Sequence, residues 1–234
     1  MRPRVLLSWS SGKDAAWTLH KLRLQNEVDV VGLLTVLGRA QNRIAMHGVR
    51  EILLEAQARS VGIPLWKIYI PEPCPPNIYD QEMSELIERA RLFGITQIAF
   101  GDIHLEQVRK NREEKLGPTG IMPIFPLWGS NPLFLAHEMV AAGLRAVLVS
   151  VDPKHLDSKF CGRIFDAKLI SKFPHNIDPC GEQGEFHTFA FAGPMYRRPV
   201  PFLIRDTIMQ DGFYYTDLVP EISSCDIPRH SQIK

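Results

Sequence analysis

The first hundred residues alternate between two hydrophobic patterns. Short, continuous apolar runs are typical of buried strands, and they cover residues 5–9, 28–36, 65–70 and 96–101. The segments between them carry apolar residues at helical spacing, and they cover residues 15–24, 49–61 and 79–93. Repeated strand–helix–strand units predict right-handed crossovers and a parallel sheet covered by helices on both faces.

This pattern changes within residues 117–132, which are rich in glycine and proline and cannot continue a helix. We place a domain boundary in this segment, near Trp128. Beyond it, Asn131 is expected to cap a helix that ends at Gly143, and residues 145–151 are expected to form a strand.

Residues 187–215 have the pattern of antiparallel strands, with a hairpin turn at Asp211 and Gly212. The predicted fold is therefore α/β, with a Rossmann-like parallel-sheet domain followed by a smaller α+β domain. The predicted domains are residues 1–128 and 129–222, and a polar tail covers residues 223–234.

Composition limits the classes of protein that fit this pattern. The chain has 234 residues, and 45% hydrophobic content is sufficient for a substantial core. Its 27 Lys and Arg residues nearly balance 26 Asp and Glu residues. Because no overall positive field results, we expect no nucleic-acid partner.

Four cysteines lie far apart without a C-x-x-C pair: Cys74, Cys161, Cys180 and Cys225. This spacing favours free thiols in a reducing compartment over a disulfide framework. No segment has the roughly 20 apolar residues of a membrane span, and the first apolar run is too short for a signal peptide. We therefore expect a cytoplasmic protein without a membrane partner.

The sequence SWSSGKDA at residues 8–15 lies where the first strand is predicted to turn into the first helix. In parallel sheets this turn presents backbone N–H groups and the positive end of a helix dipole. Gly12 would let an anion approach, Ser10 and Ser11 offer hydroxyls, and Lys13 supplies a cation. The pattern predicts a phosphate cradle that is not a Walker A loop. The alternative is a serine-capped helix start that binds nothing.

This stretch resembles the PP-loop of ATP pyrophosphatases, usually S-G-G-x-D-S, whose members cleave ATP between the α and β phosphates. Ser11 replaces a glycine of that motif and Ala15 replaces its last serine. If position 11 requires a positive φ, a serine there is strained. If the last hydroxyl binds phosphate, one donor is missing.

A second stretch, CGEQGEFHT at residues 180–188, resembles the C-G-E-x-G-E-[YF]-E-[ST] signature of the diphthine:ammonia ligase family. Residues 99–112 resemble the central segment of that family, and the resemblance covers residues 4 to about 200 in the same order. His187 stands where those enzymes usually have a glutamate, which makes the chain more similar to the bacterial branch. The resemblance implies a HUP-type fold and leaves the substrate open.

The resemblance implies a two-step reaction. A substrate carboxylate attacks the α-phosphate of ATP and releases pyrophosphate, and ammonia then displaces AMP to leave an amide. Such chemistry needs fixed donors and cations, with ATP and Mg²⁺ as the implied cofactors. The other implied partners are ammonia and a carboxylate substrate, either a small molecule or protein-borne, and a homo-oligomer is left open.

Site residues follow from the motifs and from their places at strand ends. The expected nucleotide-binding residues are Ser8, Ser10, Ser11, Gly12, Lys13, Asp14, Ala15, Leu34, Thr35, His47, Gly101 and Asp102. The expected catalytic residues are Lys13, Asp14, Glu182, Glu185 and His187, and the expected metal ligands are Asp14 and Asp102. The expected substrate-binding residues are Arg109, Arg112, Cys180, Gly181, Gly184 and Thr188.

Several of these residues have simpler structural interpretations. Glu182 and Glu185 could be solvated acids in a turn, and His187 a satisfied strand residue rather than an acceptor of the ammonia proton. Cys180 is expected to pack as a small residue, because no base partner can be assigned to it. Asp102 could merely cap the next helix.

Two other functions remain open. The first is another ATP-dependent activation of a carboxylate within the same fold, for example in cobamide or other cofactor metabolism. The second is a sensor that binds ATP or AMP without turnover, which the serine at position 11 and the alanine at position 15 favour.

Overall fold

The computed structural model describes residues 1–44 and 47–221. The predicted tail and Cys225 lie outside these residues. The first half contains, in chain order, β1 (Arg4–Ser8), α1 (Lys13–Gln25), β2 (Asp29–Gly38), β3 (Arg43–Ile44), α2 (Glu51–Val61), β4 (Leu65–Ile70), α3 (Pro76–Leu92), β5 (Ile95–Ala99), α4 (Glu106–Leu116) and β6 (Met122–Ile124).

The first sheet is parallel in its main part, as predicted. Its strands run in the order β4–β2–β1–β5–β6, and the short β3 pairs antiparallel with the end of β2. The strand β6 lies inside the glycine- and proline-rich segment and was not predicted. It extends the sheet at the edge next to β5.

Two apolar clusters cover the two faces of this sheet, because successive side chains of a strand point to opposite faces. Val5 and Leu7 belong to a cluster that reaches the second half of the chain. Leu6 belongs to the other cluster, which includes Leu86 and Ile87 of α3. Because β1, β2 and β5 run parallel, their carboxyl ends meet at one edge of the sheet, where ligands bind in open α/β folds.

The second half forms a separate, antiparallel sheet. Its elements are α5 (Pro132–Ala141), β7 (Arg145–Val151), β8 (Ile164–Phe165), α6 (Ala167–Ile170), β9 (Phe186–Ala192), β10 (Phe202–Gln210) and β11 (Phe213–Pro220). The strand β7 pairs with β8, β9 and β11, and β10 pairs with β11.

Two local predictions in this half are confirmed. The Asn131 side chain accepts hydrogen bonds from the N–H groups of Leu133 and Phe134 at the start of α5. Asp211 and Gly212 connect β10 and β11 with positive φ angles of 49° and 85°. The division into domains at residue 128 stays a prediction.

Candidate active site

The turn after β1 has a backbone conformation that usually requires glycine. The strand ends at Ser8, the helix α1 begins at Lys13, and Ser11 between them has a φ of 70°. A non-glycine residue in this left-handed region costs about 1–2 kcal/mol. The strain expected for a serine at a positive φ is therefore present. The Ser11 hydroxyl is buried and has no hydrogen-bond partner among the described residues.

The amide groups of this turn lie at the positive end of α1. Gly12 precedes the helix with an extended backbone and without a side-chain cap. First-turn N–H groups have no acceptor within their own helix, and they therefore favour an anion at this end. The N–H group of Lys13 is already donated to the Thr188 hydroxyl at 3.0 Å. This contact leaves the neighbouring amides of Gly12, Asp14 and Ala15 as the better candidates for binding phosphate.

Two glycines allow close packing around the turn. A Cβ at Gly12 would lie 3.3 Å from the Ser10 hydroxyl and 3.4 Å from Thr188. A Cβ at Gly101, just after β5, would lie 3.2 Å from the Asp14 backbone. Both positions are tighter than a side chain normally accepts, so the absence of a Cβ keeps the turn close to β5 and β9.

Lys13 joins the turn to the second half of the chain. Its buried ammonium group donates to the two Asp14 carboxylate oxygens at 2.9 and 3.1 Å and to the Cys180 carbonyl. The rings of Phe165 and Phe186 lie 5.5 and 5.3 Å from the same group. Burial alone lowers the pKa of Lys13, but Asp14 and other neighbours outweigh it, so the net pKa is raised. Lys13 is therefore charged at neutral pH.

Asp14 lies partly exposed beside the turn, and burial raises the pKa of its carboxyl group against the opposing effect of the Lys13 ammonium. Its distance to that ammonium is typical of a charge-assisted hydrogen bond. The pair therefore places a carboxyl group beside an ammonium group at the positive, N-terminal end of α1.

The two glutamates of residues 180–188 have different surroundings. Glu182 accepts the N–H groups of Ile103 at 2.8 Å and His104 at 3.4 Å, and burial raises the pKa of its carboxyl group. Glu185 is buried and accepts the N–H groups of Asp178 at 3.1 Å and Gln183 at 3.0 Å. Glu182 thus connects the segment to the loop after β5, whereas Glu185 stabilises the segment from within.

A further contact at the same place involves residues that the sequence analysis missed. Asp178 accepts the Cys180 N–H at 2.7 Å, and its other carboxylate oxygen lies 2.8 Å from His104 Nε2. The Cys180 thiol contacts the Pro132 carbonyl, and burial raises the pKa of the thiol. Because a buried, protonated thiol is a poor nucleophile, Cys180 has the environment of a packing residue.

Asp102 and Arg112 form an ion pair at the end of β5, with Arg112 Nε 2.6 Å from Asp102 Oδ2. The same guanidinium group stacks over the Phe100 ring at 4.1 Å. Arg109 points elsewhere: it lies 2.7 Å from Glu113 and stacks over Trp128. Of the two predicted substrate-binding arginines, Arg112 therefore faces the site and Arg109 packs outside it.

His187 and His47 stack with ring centroids 4.3 Å apart. The Nε2 atom of His187 is buried and lacks a hydrogen-bond partner among the described residues. Burial, helped by the Lys13 charge, lowers the pKa of His187 to about 4. The imidazole is therefore uncharged at neutral pH, and the proton-accepting role predicted from the sequence stays a prediction.

These groups surround a cavity of about 260 Å³, the small cavity, between the turn and residues 180–188. Its walls are Ser8, Ser10, Gly12, Lys13, Asp14, Ala15, His47, Phe100, Gly101, Asp102, Arg112, Cys180, Gly181, Glu182, Phe186, His187 and Thr188. Most of the predicted site residues are thus brought together. The sequence analysis missed Phe100 and Phe186, although Phe100 directly precedes the predicted Gly101.

A larger cavity of about 950 Å³, the large cavity, continues from the small one along the face of the parallel sheet that packs against α3. The two share Ser8, Ser10, His47, Phe100 and Arg112 in their walls. Leu34 lines the large cavity, but the Thr35 hydroxyl points away from it and donates to the Trp9 carbonyl at 2.6 Å. Five predicted residues line neither cavity: Ser11, Thr35, Arg109, Gly184 and Glu185.

The predicted metal ligands lie in the small cavity, each beside a cation. Asp14 pairs with Lys13, and Asp102 pairs with Arg112. Within residues 1–44 and 47–221, no group of three or more His, Cys, Asp or Glu side chains is arranged to hold a metal ion. Since Mg²⁺ is often bound by one or two carboxylates together with substrate phosphates, its ligation by Asp14 and Asp102 stays a prediction.

The fold and the cavity define an α/β protein with a candidate site at the carboxyl edge of its parallel sheet, where the turn at residues 8–15 meets residues 180–188. Comparison with known families matches residues 1–120 to the diphthamide synthase N-terminal domain and residues 131–214 to the diphthamide synthase C-terminal domain. The chain therefore belongs to the diphthamide synthase family.

Similar proteins include the diphthine–ammonia ligase of Bos taurus, which is 22% identical over an alignment of 222 positions that covers 84% of this chain and 82% of that enzyme. The diphthine–ammonia ligase of Danio rerio is 22% identical over 65% of this chain and 66% of its own length. An uncharacterized protein of Synechocystis sp. is 31% identical over half of this chain and 21% of its own length.

None of the helices among the described residues is both long enough and apolar enough to cross a bilayer.

Proposed function

We propose that the chain is an ATP-dependent ligase that joins ammonia to a substrate carboxylate and releases AMP and pyrophosphate. Membership of the diphthamide synthase family supports this proposal, as do several relatives named diphthine–ammonia ligase. Because identity to those relatives is only 22%, the proposal covers the reaction type and leaves the acid that is amidated undefined.

The observation that carries the proposal is the turn at residues 8–15. Its backbone N–H groups lie at the positive end of α1. A Cβ at Gly12 would lie 3.3 Å from the Ser10 hydroxyl and would crowd the turn. These are the features by which a helix N-terminus binds phosphate. We assign the amides of Gly12, Asp14 and Ala15 and the hydroxyls of Ser8 and Ser10 to the phosphates of ATP.

The adenosine part of ATP is assigned to the large cavity. Its wall next to the turn is apolar and includes Leu34, Val36 and Phe100. An apolar cleft with a few polar groups is typical of sites for a flat heterocycle. This wall includes Leu34 of β2, which was expected from the sequence to bind the nucleotide.

The charged groups of the small cavity are assigned to the reacting phosphates. Lys13 and Arg112 lie beside Asp14 and Asp102, so the site contains two basic side chains next to two acidic ones. These carboxylates would hold Mg²⁺, which neutralises phosphate charge when it is bound. Fixed charges of this kind stabilise the negative charge that develops as pyrophosphate leaves.

The amide-forming step is assigned to the wall formed by residues 180–188. Glu182 lines the cavity, and two backbone N–H groups hold its carboxylate in place by hydrogen bonds, so it can orient ammonia. His187 is assigned a hydrogen-bonding role, because its uncharged Nε2 atom is buried without a partner among the described residues. Glu185 holds the segment in shape and does not line the cavity.

The test is a pyrophosphate-release assay with ATP, Mg²⁺, ammonium and a panel of carboxylic acids, together with isothermal titration calorimetry of ATP binding. We expect ATP binding and pyrophosphate release that depends on the acid, with AMP and an amide as the other products. Tight ATP binding without acid-dependent pyrophosphate would favour the sensor, and pyrophosphate release without an amide would favour another carboxylate-activating enzyme.

A further inference from the structure

The phosphate-binding turn is supported from behind by one buried amide side chain. Gln57 lies on α2 and is fully buried. Its Oε1 atom accepts the Trp9 indole N–H at 2.8 Å, and its Nε2 atom donates to the Ser11 carbonyl at 3.0 Å and to the Ala190 carbonyl at 2.6 Å. These partners fix the orientation of the amide, because one side faces a donor and the other faces two acceptors.

The Ser11 carbonyl is held at two points. It accepts the N–H group of Ala190 at 2.9 Å as well as the Gln57 amide. Both contacts lie on the side of the turn that faces α2 and β9. Ser11 needs such restraint, because its φ of 70° is one that a serine seldom adopts.

The two hydrogen bonds to the Ser11 carbonyl also set the direction of the next N–H group, which belongs to Gly12. In a trans peptide the C=O and the following N–H lie on opposite sides, so a Ser11 carbonyl directed at Gln57 directs the Gly12 N–H away from it. Gly12 and Ser10 line the small cavity on that side. The contact of the Gly12 N–H with the Ser10 hydroxyl is long, at 3.4 Å, which leaves this N–H available to an anion.

We propose that Gln57 is a positioning residue for ATP: it holds the Ser11 carbonyl and thereby aims the Gly12 N–H at the phosphates. This inference rests on the proposed function, since it presumes that the turn binds ATP. Gln57 itself touches neither cavity, so its effect passes through the backbone of Ser11.

The same helix offers a matched control. Ser60 is also buried, and its hydroxyl donates to the Arg198 carbonyl, which lies in the second half of the chain. Like Gln57, it joins α2 to that half through a hydrogen bond. It does not contact the turn at residues 8–15, so its loss should lower stability without moving the phosphate-binding amides.

The experiment measures ATP binding in the presence of Mg²⁺ by isothermal titration calorimetry, with the melting temperature of every variant. We expect Gln57→Met to raise the Kd for ATP at least about 10-fold, since a small misplacement of a binding group is costly. Ser60→Ala should keep the Kd within about 2-fold of wild type while also lowering the melting temperature.

A rescue variant separates positioning from general destabilisation. Glycine adopts a positive φ without strain, so Ser11→Gly should reduce the dependence of the turn on Gln57. In the double variant with Ser11→Gly and Gln57→Met, we expect the Kd to return to within about 3-fold of Ser11→Gly alone. If Gln57→Met does not fold, Gln57→Glu replaces it, because it keeps the acceptor for Trp9 and sets a carboxylate against the Ser11 carbonyl.

The outcomes are distinguishable. Equal ATP affinity in wild type and the Gln57 variant overturns the positioning role and leaves the proposed function intact. Equal weakening by Ser60→Ala, or no rescue by Ser11→Gly, also overturns it, because both results indicate a purely structural effect. A wild-type protein that binds no ATP overturns both the proposed function and this inference.

Discussion

At the scale of single residues, three unusual positions lie in or beside the small cavity. Ser11 has a strained backbone, the Lys13 ammonium is buried, and His187 Nε2 lacks a partner among the described residues. A strained backbone and a buried polar atom without a partner lower stability, whereas the buried ammonium depends on its paired neighbours. Such features are concentrated at functional sites. Their common position around the small cavity supports the assignment of that cavity as the active site.

The first prediction concerns Lys13. Lys13→Ala should raise the Kd for ATP at least about 10-fold, because it leaves the Asp14 carboxylate unpaired beside the phosphates. It should also lower the free energy of unfolding by about 3 kcal/mol, since a partly buried charge loses its partner. Isothermal titration calorimetry and urea denaturation measure the two effects.

Lys21 provides the control for this prediction, because it lies on the same helix and pairs with Glu138 at the surface. Lys21→Ala should leave both quantities near their wild-type values. Equal ATP affinity of the wild type and Lys13→Ala would remove the turn at residues 8–15 from the proposed site.

The second prediction concerns pH. The pKa of His187 falls from an ordinary value of 6.5 to about 4 on folding. As the pH falls, the unfolded chain therefore binds a proton at this side chain before the folded protein does. Its contribution to stability is complete above pH 6.5 and is lost as the pH falls toward 4. At about 1.4 kcal/mol per pKa unit, this loss reaches on the order of 3 kcal/mol.

His187→Gln should therefore flatten the dependence of the unfolding free energy on pH between 6.5 and 4, as measured by denaturant titrations. The exposed His175 serves as control, and His175→Gln should keep the wild-type slope. An unchanged slope in His187→Gln would show that the imidazole is not buried as described.

At the scale of elements, residues 178–188 work as one unit. Glu182 connects this segment to the loop after β5 by accepting the Ile103 N–H group, and Asp178 contacts His104. The Cys180 carbonyl accepts a hydrogen bond from the Lys13 ammonium group. Glu185 stabilises the segment from within, because its carboxylate accepts hydrogen bonds from the N–H groups of Asp178 and Gln183. The shape of this segment therefore sets the wall that faces the turn at residues 8–15.

The third prediction separates this wall from the turn. Glu185→Ala should leave the Kd for ATP within about 3-fold of wild type, because the turn is intact, and reduce turnover at least about 10-fold, because the wall is misplaced. The exposed Gln183 lies in the same segment, and Gln183→Ala should retain wild-type turnover. A Glu185→Ala variant with full turnover would show that the wall plays no part in the reaction.

At the scale of the whole molecule, the small cavity needs both halves of the chain. The turn belongs to the parallel sheet, but Thr188 and Ala190 of β9 bind its backbone at Lys13 and Ser11. A second connection joins Arg50 before α2 to Asp217 of β11 at 2.7 Å. The antiparallel sheet therefore contributes to the shape of the turn as well as to the opposite wall.

The fourth prediction follows from this arrangement. A fragment of residues 1–128, the predicted first domain, should bind ATP at least about 10-fold more weakly than the whole chain, even if circular dichroism shows it folded. Loss of the β9 contacts removes the restraint on the turn. Wild-type affinity in the fragment would mean that the first sheet alone shapes the phosphate site.

Much of the fold could be predicted because its signals are local. Strand and helix patterns, the Asn131 cap and the Asp211–Gly212 turn depend on residues a few positions apart, and these features appear in the structure. Boundaries were less accurate: α3 begins at Pro76 rather than at residue 79. The short β6 was missed because its three residues lie among glycines and prolines.

By itself, the sequence determined the order of the main strands and helices, the turn at residues 8–15 and the family motifs, since periodicity and backbone conformation are set by neighbouring residues. Only the tertiary structure decided that Glu185 faces inward, that Arg109 packs outside the site and that Gln57 reaches Ser11 and Ala190. Gln57 lies 46 and 133 residues from those partners. Contacts across such separations depend on how α2 and β9 pack against the turn, and no local pattern encodes that packing.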